Sequence, residues 1–464
     1  MADLRAAAEV APRTRPLALG HSLSPHPTMK LPMKLPLHSR FSTLLLLLAA
    51  ACAVPDSSAI DARAPDIRMG EPADVGMSVE GLARIDETME GMIDEERTGG
   101  IMTLVAREGT IVHWEANGWR VLDEDPLEPN DVFRIYSMTK PVTSVAAMIL
   151  VEEGRLELDQ RLSEVIREFG DVQVYDDGAL RAPSRPITIR DLLRHTSGLT
   201  YGVFGNTAVD QMYVRELNAL DASSGQSLEE TVDVIASLPL LADPGTLWNY
   251  SMSTDVLGRV VEVASGMSLA DFFQERIFDP LQMNDTGFWV DPEDADRFVA
   301  QYGRSGDGLQ EVDGADDSRF LSEPSWFSGG GGLTSTAMDY LRFAQMLLDE
   351  GELDGVRILR PETVRDMQAN HLDEALMPIR LGGPVADHGF GLGFAVATGG
   401  PSQGNYWWAG VANTWFWIDP VEDIIAMAWT QYSPFGGIPI NPTLQAIVYE
   451  SLVESSRMAA AGRN

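Results

Sequence analysis

The sequence predicts a mixed α/β (α+β) fold, with helix and strands at both chain ends and a helical insert between them. Three observations carry this. Strand-like runs from Ile101 to Ala106 and from Thr110 to Trp114 flank Glu108-Gly109, which reads as a hairpin. A second set, Tyr406–Ala409, Thr414–Ile418 and Ile424–Thr430, lies near the end of the chain, with Asp419-Pro420 as a turn. Between the two sets, from about 155 to 315, helical patches alternate with long polar loops.

The elements follow in order. Ser78 caps a helix with the apolar stripe Leu82, Ile85, Met89, Met92 and Ile93, and Gly99-Gly100 stops it. A second helix runs from near Ser137 to Gly154, with Val142, Val145, Ile149 and Leu150 inward. The insert carries helical runs at Ile189–His195, Leu228–Leu238, Asp255–Ser265 and Leu269–Ile277. Beyond Gly329-Gly330-Gly331-Gly332, Ser335 caps a helix through Leu348, and a last helix presents Leu444, Ile447, Val448 and Leu452.

The 464 residues carry a formal net charge of −35. So acidic a chain repels nucleic-acid phosphates and anionic lipid surfaces, which excludes both as partners of the folded body. The single cysteine, Cys52, excludes a disulfide scaffold and a Cys-based zinc site. Residues 1–52 read as a leader: Lys30, Lys34 and Arg40 precede an apolar run, Phe41 to Ala51. That run is too short to span a bilayer, which needs about 20 residues. Met29 or Met33 makes a better start for such a signal than Met1. The run ends at Cys52, which resembles the lipid-modified cysteine of a bacterial lipobox; Ala51-Cys52-Ala53 is the competing pattern, for plain secretion. Both imply export, to the periplasm, to the envelope through a lipid anchor, or to the medium. Residues 53–70 read as a tether and 71–464 as the folded domain.

After the leader the chain holds one lysine, Lys140, and every other basic residue is Arg. Arginine stays protonated, whereas a partly buried lysine can give up its proton. Ser137 stands three residues earlier, in Tyr136-Ser137-Met138-Thr139-Lys140. On a helix these side chains share a face, so the ammonium reaches the hydroxyl. A serine at a helix start also offers its own N–H to a developing oxyanion. The S-x-x-K spacing alone is common; an isolated lysine at that spacing is less so.

With these motifs the chain resembles the serine β-lactamase and penicillin-binding superfamily, in particular the class C-like branch that includes the family VIII carboxylesterases. The likeness extends over most of residues 72–456. Its further landmarks are Leu193-Arg194-His195-Thr196-Ser197-Gly198-Leu199, Pro244-Gly245-Thr246-Leu247-Trp248-Asn249-Tyr250-Ser251, Gly331-Gly332-Leu333-Thr334-Ser335-Thr336 and Trp408-Ala409-Gly410. The resemblance implies an antiparallel sheet built from both chain ends and flanked by helices. The α/β lobe would span about 71–140 and 316–464, and the helical lobe about 141–315. It implies Ser137 as acylated nucleophile, Lys140 as its partner, and Tyr250 as a general base whose tyrosinate Lys140 holds; the alternative is a core tyrosine. It puts Trp408-Ala409-Gly410 where β-lactamases have Lys-Thr-Gly. Trp408 and Gly410 then border the substrate, and Val411 supplies the second oxyanion N–H beside that of Ser137. His195 reads as a structural turn histidine.

Other motifs are set aside. Gly400-Pro401-Ser402-Gln403-Gly404 fits G-x-S-x-G, but a strand-like run follows where that motif needs a helix, and all seven histidines precede Ser402. The four-glycine run reads as a flexible turn beside the cleft, and Asp313, Asp316 and Asp317 as a solvated loop. The reading is a serine hydrolase working through an acyl-enzyme, with no metal or cofactor required: a carboxylesterase on short-chain esters. A β-lactamase, a D-amino-acid or cell-wall peptidase, and a silent wall-binding protein are the alternatives.

Overall fold

In the computed structural model, the described residues are 66–217, 225–306, 308–381, 383–400 and 402–453. They belong to one compact unit. Cys52, the apolar run and the two alternative starts lie outside the described residues.

The amphipathic helix expected near the start is α1 (Val79–Asp94), and the Ser78 side chain accepts the Gly81 N–H as its cap. The first hairpin follows as β1 (Gly100–Arg107) and β2 (Thr110–Val121). A short strand β3 (Phe133–Arg134) leads into α2 (Thr139–Glu152). The insert holds α3 (Ile189–Leu193), α4 (Ala208–Leu217), α5 (Leu228–Ser237), α6 (Ser253–Ser265) and α7 (Leu269–Phe273). The chain returns through β4 (Thr334–Ser335), α8 (Ala337–Leu348), β5 (His388–Phe390) and β6 (Ala395–Ala397). It closes with β7 (Tyr406–Ala409), β8 (Trp415–Asp419), β9 (Ile424–Trp429) and α9 (Ile440–Glu450).

The large sheet has the order β2-β1-β9-β8-β7-β6-β5, antiparallel throughout, with Arg68–Met69 added in parallel beside β2. The two chain ends meet where β1 pairs with β9, Leu104 opposite Met427. Side chains alternate across this seam. Ile101 and Val105 of β1, with Ala426 and Ala428 of β9, face α1 and α9; Met102, Leu104, Met427 and Trp429 face the core around α2 and α8. Because both faces are covered, the central strands are apolar at nearly every position. The α2 helix is buried from Thr139 through Leu150.

Two expectations are corrected here. Ser335 does not cap α8; it pairs with Phe133 in the β3–β4 ladder, and the cap is Thr336, whose hydroxyl accepts the Asp339 N–H. Asp313 is more than a solvated loop residue: its partly exposed carboxylate lies 2.6 Å from Nε of the fully buried Arg134, which also stacks 4.0 Å over Phe298. That partner stands 179 residues away, beyond the reach of any local pattern. The β5 and β6 strands were not expected. They are three residues each and carry no alternation to betray them.

Asp339, in the first turn of α8, is buried and accepts hydrogen bonds from the Asp285 N–H (2.7 Å) and the Thr286 hydroxyl (2.9 Å). Burial outweighs those bonds and pushes its carboxyl up to about 6. The folded state thus holds this proton more tightly than the unfolded chain does, where the value is about 3.9. The resulting stability is present below about pH 4 and is lost as pH rises through about 6. Asp339→Asn should therefore be more stable than the parent at pH 7.5, by about 1–3 kcal/mol, with the gap closing toward pH 4. Denaturant melts of both forms at the two pH values check this.

Candidate active site

Ser137 sits in a 3-10 turn, Tyr136–Met138, that runs directly into α2. Three contacts pin the turn. The Ile135 N–H donates to Leu333 O (3.1 Å), Tyr340 OH donates to Met138 O (2.9 Å), and Thr414 Oγ1 donates to Ile135 O (3.3 Å). Tyr136 has φ +43°, a left-handed conformation that costs an aromatic residue about 1–3 kcal/mol. Its hydroxyl bonded to Gln301 Oε1 (2.7 Å) and its ring edge-on to Phe320 hold it there.

The turn presents Ser137 Oγ to two donors. Lys140 Nζ lies 3.2 Å away and Tyr250 OH 2.6 Å away. Tyr250 comes from the segment just before α6, 113 residues along the chain. Lys140 is only 1% exposed, and its Nζ also donates to the Gly330 carbonyl at 2.5 Å. The three residues predicted to act together are thus brought together. One detail differs from expectation. Lys140 meets Tyr250 over the face of the ring, 4.7 Å from its centre, and bonds Ser137 and Gly330 in place of the phenolic oxygen.

Neutral rings enclose Tyr250. His195, Tyr201, Phe204 and Trp408 have ring centres 5.0–5.7 Å from it. His195 has φ +56° and is buried, its Nδ1 3.3 Å from Ser251 Oγ. Burial, and secondarily the Lys140 charge, holds its imidazole well below the ordinary range and so neutral. It is a turn histidine, as expected, and also a wall of the tyrosine's pocket. Burial likewise drives Tyr201 well above the usual phenol range, helped by Tyr250 and Asp255.

The β7 strand forms the next side. Trp408 is 1% exposed and packs edge-on against both Tyr250 and Phe390. It backs Tyr250 and offers little open surface to a substrate, which corrects its expected place as a substrate-facing wall. Beyond Trp407, no strand among the described residues pairs with the outer edge of β7. Gly410 follows, its N–H donating to Thr414 O. A Cβ on Gly410 would stand 2.4 Å from Ile135 O and 2.3 Å from Thr414 Oγ1, so only glycine lets this edge lie against the Ser137 turn. Val411 comes next, 44% exposed, and its N–H enters no backbone hydrogen bond among the described residues.

The glycine run is the largest correction. It is no flexible turn. A Cβ on Gly329 would meet Thr254 O at 2.7 Å, one on Gly330 would meet Asp255 Oδ2 at 2.2 Å, and one on Gly332 would meet Phe288 at 2.8 Å. The run is wedged between α6 and α2, with Thr143 Oγ1 donating to Gly329 O. Gly330 and Asp255 were missed as parts of the site. An acidic residue in the first turn of a helix looks like an ordinary response to the helix dipole, so no local signal separates Asp255 from others. The G-x-S-x-G match lies in the connection between β6 and β7, as expected.

The family described as Beta-lactamase matches residues 85–448. Protein Rv1367c of Mycobacterium tuberculosis (strain H37Rv) is 37% identical over 359 residues, covering 72% of this chain and 86% of that protein. Esterase EstB of Burkholderia gladioli is 31% identical over 401 residues, covering 79% and 95%. Among solved structures, EstCE1, described as a hydrolase with promiscuous acyltransferase activity, matches with a TM-score of 0.69 at 28% identity, covering 80% of this chain and 99% of EstCE1. The chain therefore belongs to the β-lactamase family and is an enzyme, a serine hydrolase of that fold.

The close approach at Gly410 yields a prediction. Gly410→Ala should push β7 away from Ile135 and cut turnover of any substrate of Ser137 by about 10-fold or more, since misplacement of about 1 Å can cost about 100-fold. Steady-state kinetics at matched folded fraction, judged by thermal melting, test this; wild-type turnover in the variant would contradict it.

Proposed function

We propose that this enzyme is a carboxylesterase acting on neutral esters with short, apolar acyl groups. The observation that carries the reading is the pair of proton carriers, Lys140 Nζ and Tyr250 OH, both within hydrogen-bond distance of Ser137 Oγ. Ser137 Oγ attacks the ester carbonyl carbon while its proton passes to the Tyr250 oxygen, which accepts it as the tyrosinate with the Lys140 ammonium alongside. The carbonyl oxygen becomes an oxyanion at the N–H groups of Ser137 and Val411. The C–O bond to the alcohol breaks as the proton is returned to the leaving oxygen. Water then attacks acyl-Ser137 by the same route and releases the acid.

The substrate class rests on the walls. β-Lactams and peptide C-termini carry a carboxylate, and the cation that the family's third motif supplies for it is replaced here by Trp408. The mouth beside Tyr250 is apolar, with Phe204 62% and Val203 66% exposed. The esterase name of EstB supports this choice. Acyl transfer to an alcohol in place of water is a second reading, favoured by the same apolar mouth and by the description of EstCE1.

Three measurements test the reading. Ser137→Ala should abolish ester hydrolysis. Lys140→Arg keeps the charge but cannot give up a proton at working pH, and should cost about 10²–10⁴-fold in kcat. On the parent enzyme, kcat/KM for a p-nitrophenyl ester should exceed that for a cephalosporin by about 10- to 100-fold, the worth of one missing charge-assisted contact. A preference for the cephalosporin would overturn the esterase reading.

The reading includes export, supported by Lys30, Lys34 and Arg40 ahead of the apolar run that ends at Cys52. Protein recovered from expressing bacteria should begin at Cys52 with a lipid mass, or shortly after it. Cytoplasmic protein that retains Lys30 and Lys34 by intact-mass analysis would refute it.

A further inference from the structure

Asp255 is the buried carboxylate nearest the reaction machinery in the hydrogen-bond network, and the acyl-transfer steps above do not use it. It is 1% exposed, in the first turn of α6. Its Oδ1 accepts two hydrogen bonds, from Ser328 Oγ (2.6 Å) and from the Gly330 N–H (3.1 Å). Gly330 then turns its carbonyl onto Lys140 Nζ (2.5 Å), and Lys140 donates to Ser137 Oγ (3.2 Å). Three of these contacts form a path from the carboxylate, through the backbone of Gly330, to the ammonium and Ser137 Oγ, and Ser328 braces the carboxylate from the side. The carboxylate thus fixes the orientation of the Gly330 backbone, and with it the carbonyl that faces the ammonium. The absence of a Cβ on Gly330 is what admits the carboxylate, because that atom would lie 2.2 Å from Asp255 Oδ2.

We propose that Asp255 is the positioning residue for Lys140: its carboxylate clamps Ser328 and Gly330 so that the Gly330 carbonyl fixes the ammonium against Ser137 Oγ. The assignment of Ser137 as nucleophile comes from the reading above; the effect on Lys140 itself does not depend on it. The titratable groups around Lys140 are few. Tyr250 and Tyr201 present ring faces 4.7 and 5.3 Å from Nζ, His195 is kept neutral by burial, and Asp255 is the carboxylate. Burial raises the proton affinity of Asp255, and Lys140 is the first influence opposing that rise, which is the mark of two charges acting on one another.

The sign follows. Replacing the carboxylate by an amide removes the negative charge that favours a protonated Lys140, so the lysine must lose its proton at lower pH. Asp255→Asn keeps the size but leaves the amide one accepting oxygen and turns an NH₂ group toward the site. Lys140 permits a direct reading, because the only other lysines, Lys30 and Lys34, lie in the leader. Nζ-labelled lysine, followed by nitrogen NMR, should show the Lys140 titration midpoint lowered by about 0.5–1 unit in Asp255→Asn. Hydrolysis of a p-nitrophenyl ester should lose about 10- to 100-fold in kcat, with KM changed less than about twofold. Ser328→Ala, which removes one of the two donors and disturbs packing less, should move both quantities the same way by a smaller amount. It carries the test if Asp255→Asn does not fold.

A moved Lys140 midpoint supports the proposal even if the parent enzyme turns over no ester, an outcome that would refute the hydrolase reading alone. An unmoved midpoint in a variant that melts like the parent overturns the proposal, whatever happens to kcat. A loss of kcat with an unmoved midpoint would make Asp255 a packing residue only.

Discussion

The site depends on burying the ammonium of Lys140. A cation this deeply enclosed costs several kcal/mol unless acceptors replace its lost water. Here the replacements are Ser137 Oγ, the Gly330 carbonyl and the faces of two tyrosines. Each comes from a different stretch of chain, so the need to satisfy one charge ties the serine turn, the glycine run, the Tyr201 loop and the Tyr250 segment into one arrangement. The low dielectric that makes burial costly also strengthens every contact the ammonium makes.

Two backbone approaches make that arrangement sterically possible, and both depend on missing Cβ atoms. On one side Gly329 and Gly330 press against α6, at Thr254 and Asp255. On the other, Gly410 lets β7 lie against Ile135, two residues before Ser137. The serine turn is thus held between a loop and a strand edge at backbone contact distance. The strained Tyr136 backbone persists because both neighbours, and Tyr340 behind the turn, over-determine its position.

The chemistry of the walls contrasts with the rest of the molecule. The chain carries a net charge of −35, and Arg–carboxylate pairs recur along it, yet Tyr250 is packed among rings. A neutral imidazole, a protonated phenol and an indole surround Tyr250. These rings carry no charge of their own beside the Lys140 ammonium.

Much of the fold was legible because burial leaves a period in the sequence. The stripe of α1, the hairpin of β1 and β2, the three strands that end the sheet and the apolar face of α9 all appear where side-chain alternation puts them. Ser137 and Lys140 were legible for a different reason: they lie one helical turn apart, and Lys140 is the one lysine after residue 34. Tyr250 was reached through the family resemblance, and its 113-residue separation from Ser137 means that only folding brings the hydroxyl to 2.6 Å. The tertiary structure alone decided that Trp408 backs the tyrosine, that Asp313 pairs with Arg134, that the glycine run is a packed wedge and that Asp255 lies behind it. Local patterns record which face of an element is buried. They do not record which distant carbonyl or carboxylate will meet a side chain once the elements close, because that choice is made by packing across the whole core.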